Sequence, residues 1–173
     1  FAVLFGGAAA FIPEVAEKIL HTGPIGYGFL NAAMDIGSLI SIAVLVKYPM
    51  RQKQGLKMLL AVAGFGICII IFGLSKVYWL SFMALLIAGL FDAVSVVVRG
   101  TIMQLNTPDE LRGRVASINL IFINSSNELG QFESGVTSRM FGTLPAIIFG
   151  GAMSMLVVAA TWLKFPKLRK LEY

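Results

Sequence analysis

The sequence predicts an all-α membrane protein in which six transmembrane helices form one bundle. Of its 173 residues, 57% are hydrophobic and only 13% are charged, whereas soluble domains average about 25% charged residues. The mean hydropathy is +0.83, and the apolar residues form runs near the length of about 20 residues that crosses a bilayer as a helix. These observations exclude a water-soluble domain.

The residues between the apolar runs support this assignment. Proline and glycine mark the connections, as in HTGPIGYG and KYPMRQKQG. The runs are continuous, whereas the strands of an outer-membrane barrel alternate in polarity over about ten residues. The first run starts at Phe1 without a charged flank, so we expect that part of its helix lies upstream. The six predicted segments are 1–20, 28–46, 56–74, 77–103, 112–138 and 143–163.

The basic residues predict the orientation of the bundle. With six spans both termini lie on one face, and the other face keeps only Lys18, Lys76 and Arg139. Lysine and arginine concentrate in cytoplasmic loops, so both termini are predicted to be cytoplasmic. The net charge of +5 thus reflects topology and not nucleic-acid binding. The predicted cytoplasmic face holds Lys47, Arg51, Lys53, Lys57, Arg99, Arg112, Arg114, Lys164, Lys167, Arg169 and Lys170.

Metal and redox chemistry find little support in the composition. The chain has one histidine, His21, and one cysteine, Cys68, whereas a structural zinc site needs about four ligands and a disulfide needs two thiols. Cys68 is predicted to be a small buried apolar residue. A membrane-embedded enzyme would need a cluster of His, Asp or Cys, so we expect neither an enzyme nor a bound metal or cofactor.

The loop TPDELRGRV is typical of a helix start. A threonine followed three residues later by a glutamate forms a capping box, proline suits the first helical position, and an early aspartate favours the helix dipole. This pattern is that of a well-capped helix with basic anchors, and a cytoplasmic gating loop is the functional alternative. The residues concerned are Thr107, Pro108, Asp109, Glu110, Arg112 and Arg114.

Internal polarity differs sharply among the six segments. The third and sixth carry no internal charge, so they can face lipid or pack through small residues such as Gly150, Gly151 and Ser154. The second segment contains Asp35, and the fourth and fifth contain several charged residues. If the six segments are divided into two groups of three, the last segment of each group carries no internal charge. This order is typical of the two three-helix repeats found in many secondary transporters.

The fifth segment contains the polar run INSSNELGQFES. Asn124, Glu128, Gln131 and Gly135 are spaced by four, three and four residues, which places them on one helical face, with Asn127 beside it. A charged side chain at the bilayer centre costs about 2.5 to 3.5 kcal/mol on insertion scales. We therefore predict that this face borders a cavity or a partner and forms part of a substrate or proton pathway.

The fourth segment adds a second candidate pair. Asp92 and Arg99 are seven residues apart and share a face, so they can pair directly or through water, although Arg99 can also snorkel to the interface. Because a carboxylate shielded from water retains its proton more readily, Asp92 and Glu128 are candidates for carrying protons. The alternative for Asp92 and Asp35 is a structural role between helices. Glu14, Glu17 and His21 are predicted to form a solvated outer rim.

Four stretches together resemble the C-terminal half of a major facilitator superfamily transporter. They are TPDELRGRV, SSNELGQFESGV, FGTLPAIIFGG and the tail WLKFPKLRKL, and the similarity covers essentially all of residues 1–173. The resemblance is to the branch that includes enterobactin exporters and macrolide efflux pumps. It implies helices seven to twelve of a twelve-helix protein, with the central site between two six-helix bundles.

That resemblance also implies a function and partners. It implies proton-coupled efflux of a drug-like or siderophore-like small molecule across a bacterial inner membrane, by rocking of one bundle against the other. The implied partners are the lipid bilayer, the N-terminal bundle of the same polypeptide, the substrate and protons. The first and fourth segments would line the cavity, the second and fifth would face the other half, and the third and sixth would be peripheral.

One loop departs from the superfamily pattern. KYPMRQKQGLK keeps the basic residues of the signature loop but has no acid, which argues against a charge relay there. A non-transporting membrane scaffold or sensor built on the same fold is the alternative function. One bundle alone cannot open a binding site alternately to the two sides of the membrane. We therefore expect this chain to need the other bundle, or a second copy, for transport.

Overall fold

The computed structural model describes residues 7, 9–48 and 54–164, and almost all of them are helical. The all-α class predicted from the sequence is therefore confirmed. A short 3₁₀ helix, Asp109–Leu111, precedes the fifth α-helix. The α-helices are α1 Ile12–Lys18, α2 Pro24–Lys47, α3 Gln54–Leu74, α4 Tyr78–Leu105, α5 Arg112–Phe141 and α6 Thr143–Lys164.

The start of α2 differs from the prediction. The helix begins at Pro24 and not at 28, so Gly26 and Gly28 lie inside it instead of in the loop. Proline suits the first helical turn, because its φ is already helical and the missing N–H has no acceptor there. The prediction assigned both glycines to the loop and therefore placed the start of this helix about one turn too late.

The first predicted segment is discontinuous. Gly7, Ala9 and Ala10 are helical, Phe11 forms a turn, and α1 then starts at Ile12 with Pro13 in its first turn. Proline cannot donate to the carbonyl four residues before it, and its ring clashes with that carbonyl. The break at Phe11 follows from Pro13, and the described part of α1 is only 7 residues long.

Four helices are long and apolar enough to cross a membrane: α2, α3, α4 and α6. At 30 residues, α5 is the longest helix, and at about 1.5 Å per residue it exceeds the thickness of the apolar core. The polar run INSSNELGQFES makes α5 too polar to be identified as a span by apolar length. Within the described residues, apolar length therefore identifies four of the six predicted spans.

Helix α4 lies at the centre of the packing. It contacts α2 and α3 extensively, α3 also packs on α6, α6 contacts α5, and α1 contacts α2. The shared core is built from side chains that are almost fully buried. Close packing of these side chains against one another stabilises the bundle. The largest of these side chains include Phe65, Phe72, Leu30, Leu85 and Ile147, and Cys68 is a buried free thiol as predicted.

Glycines set the distance between α2 and α4. A Cβ atom at Gly37 would collide with the carbonyl oxygen of Leu86, and one at Gly89 would collide with the carbonyl oxygen of Met34. The Ser38 hydroxyl lies 3.1 Å from the oxygens of both Met34 and Gly89 and can donate to either. The two backbones are therefore in direct contact, as is common where small residues line a helix crossing in membranes.

A second small-residue crossing joins α3 to α6. A Cβ atom at Gly66 would lie 3.1 Å from Cβ of Ser154 and 3.2 Å from the carbonyl oxygen of Gly151. The predicted packing role of Gly151 and Ser154 is therefore confirmed. At Gly150 a Cβ atom would meet no atom within 4 Å, so that residue is not part of the crossing.

Much of the basic charge used for the orientation lies outside the described residues. This holds for Arg51 and Lys53, between α2 and α3 in the sequence, and for Lys167, Arg169 and Lys170, which follow α6 in the sequence. Residues 1–6 and 8 of the first segment lie outside them as well. We call the end of the bundle with the α5–α6 turn the outer end, following the orientation predicted from charge.

Candidate functional site

The polar residues of α5 lie on a face that the other described helices leave uncovered. Asn124, Glu128, Gln131 and Gly135 are all exposed, and the continuous helix keeps them aligned as their spacing predicts. In a chain this apolar, such a face offers donors and acceptors to water, to a ligand or to a second bundle.

The buried side of α5 fixes where that face points. Within α5 only Gly130 and Ser134 are buried, and the Ser134 hydroxyl lies against Gly7 so closely that a Cβ atom at Gly7 would collide with it. Asn127 is half-buried. The contact with Gly7 therefore turns Glu128 and its neighbours away from the packed core.

The fourth helix carries a second polar face, on which Ser95 is buried and Asp92 and Arg99 are half-buried. Asp92 and Arg99 are seven residues apart on this continuous helix and therefore lie on the same face. Salt bridges within 4 Å among the described residues are confined to Glu14–Lys18 and Asp109–Arg112. Asp92 and Arg99 therefore do not form a direct ion pair.

The candidate residues do not form one cluster. Asp35 is exposed on α2, and α4 and α5 are not among the helix pairs in extensive contact. In the part of the chain that the structure describes, no group of three or more His, Cys, Asp or Glu side chains is placed to hold a metal ion. Asp35, Asp92 and Glu128 thus lie on three separate helices.

The capping box predicted in TPDELRGRV is wrong. The Thr107 hydroxyl donates to the carbonyl oxygen of Met103 at 2.7 Å, in the last turn of α4, so it is not available to cap the next helix. A 3₁₀ turn follows, and α5 begins only at Arg112, whose guanidinium lies 2.8 Å from the Asp109 carboxylate. Glu110 and Arg114 are exposed.

Glu14 has a role that the sequence did not reveal. Its Oε2 accepts hydrogen bonds from the hydroxyls of Ser138, at 2.6 Å, and Thr143, at 3.0 Å, and its Oε1 accepts one from Lys18 at 2.7 Å. These residues join α1 to both sides of the α5–α6 turn. Only Lys18, four residues along the chain, was visible locally, because Ser138 and Thr143 are more than a hundred residues away.

At the outer rim, outside the four apolar spans, these donors lower the pKa of Glu14, with Lys18 as the largest cause and the Ser138 and Thr143 hydroxyls adding to it. Replacing Glu14 with alanine is expected to lower the free energy of unfolding by about 1 kcal/mol, because hydrogen bonds to a charged group are lost but the site is partly solvated. Thermal unfolding in detergent micelles measures the change.

The same contact predicts a pH dependence. Because the pKa of Glu14 is lower in the folded than in the unfolded protein, its contribution is present above the unfolded pKa and is lost as the pH falls through the folded one. Stability of the parent chain should therefore decline on acidification more steeply than that of the alanine variant. Parallel pH profiles of the two proteins would contradict the assignment.

Comparison with known proteins gives one family. The family described as "Transmembrane secretion effector", of the major facilitator superfamily, matches residues 1–173. Enterobactin exporters EntS from Escherichia coli O1:K1 / APEC, Escherichia coli O45:K1 (strain S88 / ExPEC) and Shigella flexneri are each 34% identical over 88 residues, or 51% of this chain. No solved structure matches.

The matched stretch is 21% of the length of the two Escherichia relatives and 22% of the Shigella relative. The family match covers the whole chain, and it agrees with the apolar helices suited to crossing a bilayer. The family is one of membrane transporters, and together with the four apolar helices it indicates a multi-pass membrane protein. The chain belongs to the transmembrane secretion effector family of major facilitator transporters.

Proposed function

We propose that this chain is the C-terminal six-helix bundle of a secondary transporter that exports a small drug-like or siderophore-like molecule. The observation that carries the proposal is the uncovered polar face of α5, in a family of membrane transporters. In this arrangement the first predicted segment, which ends at the outer rim with α1, and the polar helix α5 supply the two remaining spans, and both termini are cytoplasmic. The N-terminal bundle of the same polypeptide completes the transporter.

The α5 face is the proposed contact surface for substrate and for the other bundle. Asn124, Gln131 and the half-buried Asn127 supply amide donors and acceptors, and Glu128 supplies a charge among them. Asp35 on α2 contributes a second exposed carboxylate. Two bundles that rock would expose these groups alternately to the two sides of the membrane.

Proton coupling is assigned to the two carboxylates that lie deepest along the spans, Asp92 and Glu128. Protonation of Asp92 would remove a negative charge from the face of α4 that also carries Arg99. A change in charge state then biases the equilibrium between two bundle arrangements by the difference in interaction between them. At the cytoplasmic end, the Asp109–Arg112 pair and its neighbours Thr107, Glu110 and Arg114 form the gating loop between α4 and α5.

Efflux in cells that express the full-length protein tests this function. We would measure the export of dyes, macrolides and catecholate siderophores with the proton gradient intact and after its collapse. Export is expected to stop when the gradient is collapsed. In an Asp92→Asn variant its dependence on pH should weaken, because the amide cannot titrate and only Glu128 of the two proposed proton carriers remains.

The matched control is Glu17→Gln on α1, which removes one exposed carboxylate without touching the α4 face or the gating loop. Export by Asp92→Asn that remains fully coupled to protons would contradict the role of Asp92. If a protein shown to be folded in the membrane exports none of these compounds, the scaffold or sensor alternative gains support.

A further inference from the structure

The turn between α5 and α6 is made by a single residue. Gly142 has φ +92°, in the region that favours glycine because a Cβ would be strained there. Its N–H donates to the carbonyl of Ser138 at 2.9 Å, and its own carbonyl accepts from Ala146 at 3.3 Å. The chain reverses in one step, so the ends of the two helices lie side by side.

A groove lies beside this turn at the outer end of the bundle. Glu133, Thr137 and Phe141 follow one another at four-residue spacing on α5, and Pro145 and Phe149 do so on α6. The groove has a volume of about 490 Å³, within the range of about 300 to 1,000 Å³ that is typical of small-molecule sites. Its walls are mostly apolar, and both phenyl rings are exposed, Phe141 by 67% and Phe149 by 53%.

One carboxylate stands in this apolar groove without a compensating charge. Glu133 is exposed, and Thr137 donates to its Oε1 at 3.1 Å. No lysine or arginine among the described residues forms an ion pair with it. The negative charge of Glu133 therefore remains open to a partner that enters the groove.

We propose that this groove binds a small organic cation with an aromatic or aliphatic body. A cation over the face of a phenyl ring is attracted by the ring quadrupole, and the Glu133 carboxylate adds a full opposite charge. An anion of the same shape would be repelled, and a neutral molecule would cover the carboxylate without pairing it. The charge of the groove, together with its two rings, thus selects the occupant.

The site is separate from the polar face assigned to transport. Glu133 and Glu128 are five residues apart, which places them about 140° from each other around the helix. The proposal therefore goes beyond the proposed function, and binding in this groove does not require transport.

Equilibrium dialysis with the full-length protein in nanodiscs tests the proposal. The probes are tetraphenylphosphonium and tetraphenylborate, which have nearly the same shape and opposite charges, with empty nanodiscs as the background. The cation is expected to bind and the anion to show no binding above background. Glu133→Gln should weaken cation binding at least tenfold, and Phe149→Ala should weaken it as well.

Glu17→Gln is the matched control, because it removes one exposed carboxylate from the same end of the bundle. It should leave the affinity for the cation within twofold of the parent. The glutamine at 133 keeps the size of the side chain and an acceptor for Thr137, so circular dichroism should show unchanged helix content. Unchanged binding by Glu133→Gln, equal binding of the anion, or an equal loss in Glu17→Gln would each overturn the proposal.

Discussion

Replacing Gly89 with alanine is expected to lower the free energy of unfolding by about 2 to 3 kcal/mol, at the upper end of the usual cost of overpacking. The added methyl group would collide with the carbonyl oxygen of Met34 on α2. That atom belongs to the backbone, so no side-chain rotation can relieve the collision and the helices must separate. Separation would also lengthen the hydrogen bond of 3.1 Å from Ser38 to the Gly89 carbonyl.

Gly100→Ala provides the control in the same helix. A Cβ atom at Gly100 would have no neighbour within 4 Å, and alanine in a helix interior is favoured over glycine by about 0.5 to 1 kcal/mol. Thermal unfolding of both variants in the same detergent gives the comparison. If Gly89→Ala proved as stable as Gly100→Ala, the direct contact between α2 and α4 would be ruled out.

Glu128→Gln is expected to reduce export by the full-length protein at least about tenfold, since hydrogen bonds to a charged group are worth about 1.5 to 3 kcal/mol. Glu128 is the one carboxylate among the amide side chains of the uncovered α5 face. Glutamine preserves the shape but neither the charge nor the capacity to release a proton. Efflux rates at equal protein levels in the membrane measure the effect.

Glu17→Gln serves again as the matched control, because Glu17 is exposed on α1 and remote from this face in the sequence. It should export at the parental rate. Equal losses in the two variants would point to a general effect of surface charge. Full activity of Glu128→Gln would remove Glu128 from the pathway and leave the α5 face as a contact with the other bundle.

The segments that form helices could be predicted from local sequence. Long apolar runs bounded by glycine and proline identified the helices because a segment in lipid must satisfy its backbone hydrogen bonds internally. The alignment of Asn124, Glu128 and Gln131 also needed only the helical period. The same reasoning anticipated Gly151 as a packing residue, since small residues let membrane helices approach closely.

Local rules failed where a distant group or a competing bond decided the outcome. Thr107 matched a capping box, but its hydroxyl donates to the carbonyl of Met103 in the preceding helix. Glu14 was predicted to lie in a solvated rim, but its carboxylate accepts hydrogen bonds from Ser138 and Thr143. A short polar side chain bonds to whichever partner lies within reach, and that partner is specified only by the fold.

By itself, the sequence determined the helical class, the family resemblance and the face of α5 that carries the polar residues. The tertiary structure alone decided which side of each helix is covered, that Gly37 and Gly89 meet backbone to backbone, and that Glu133 stands beside two phenyl rings. Periodicity sets the angular position of a side chain within its own helix. The neighbours of that side chain depend on how separate helices pack, and such contacts join residues far apart in the chain.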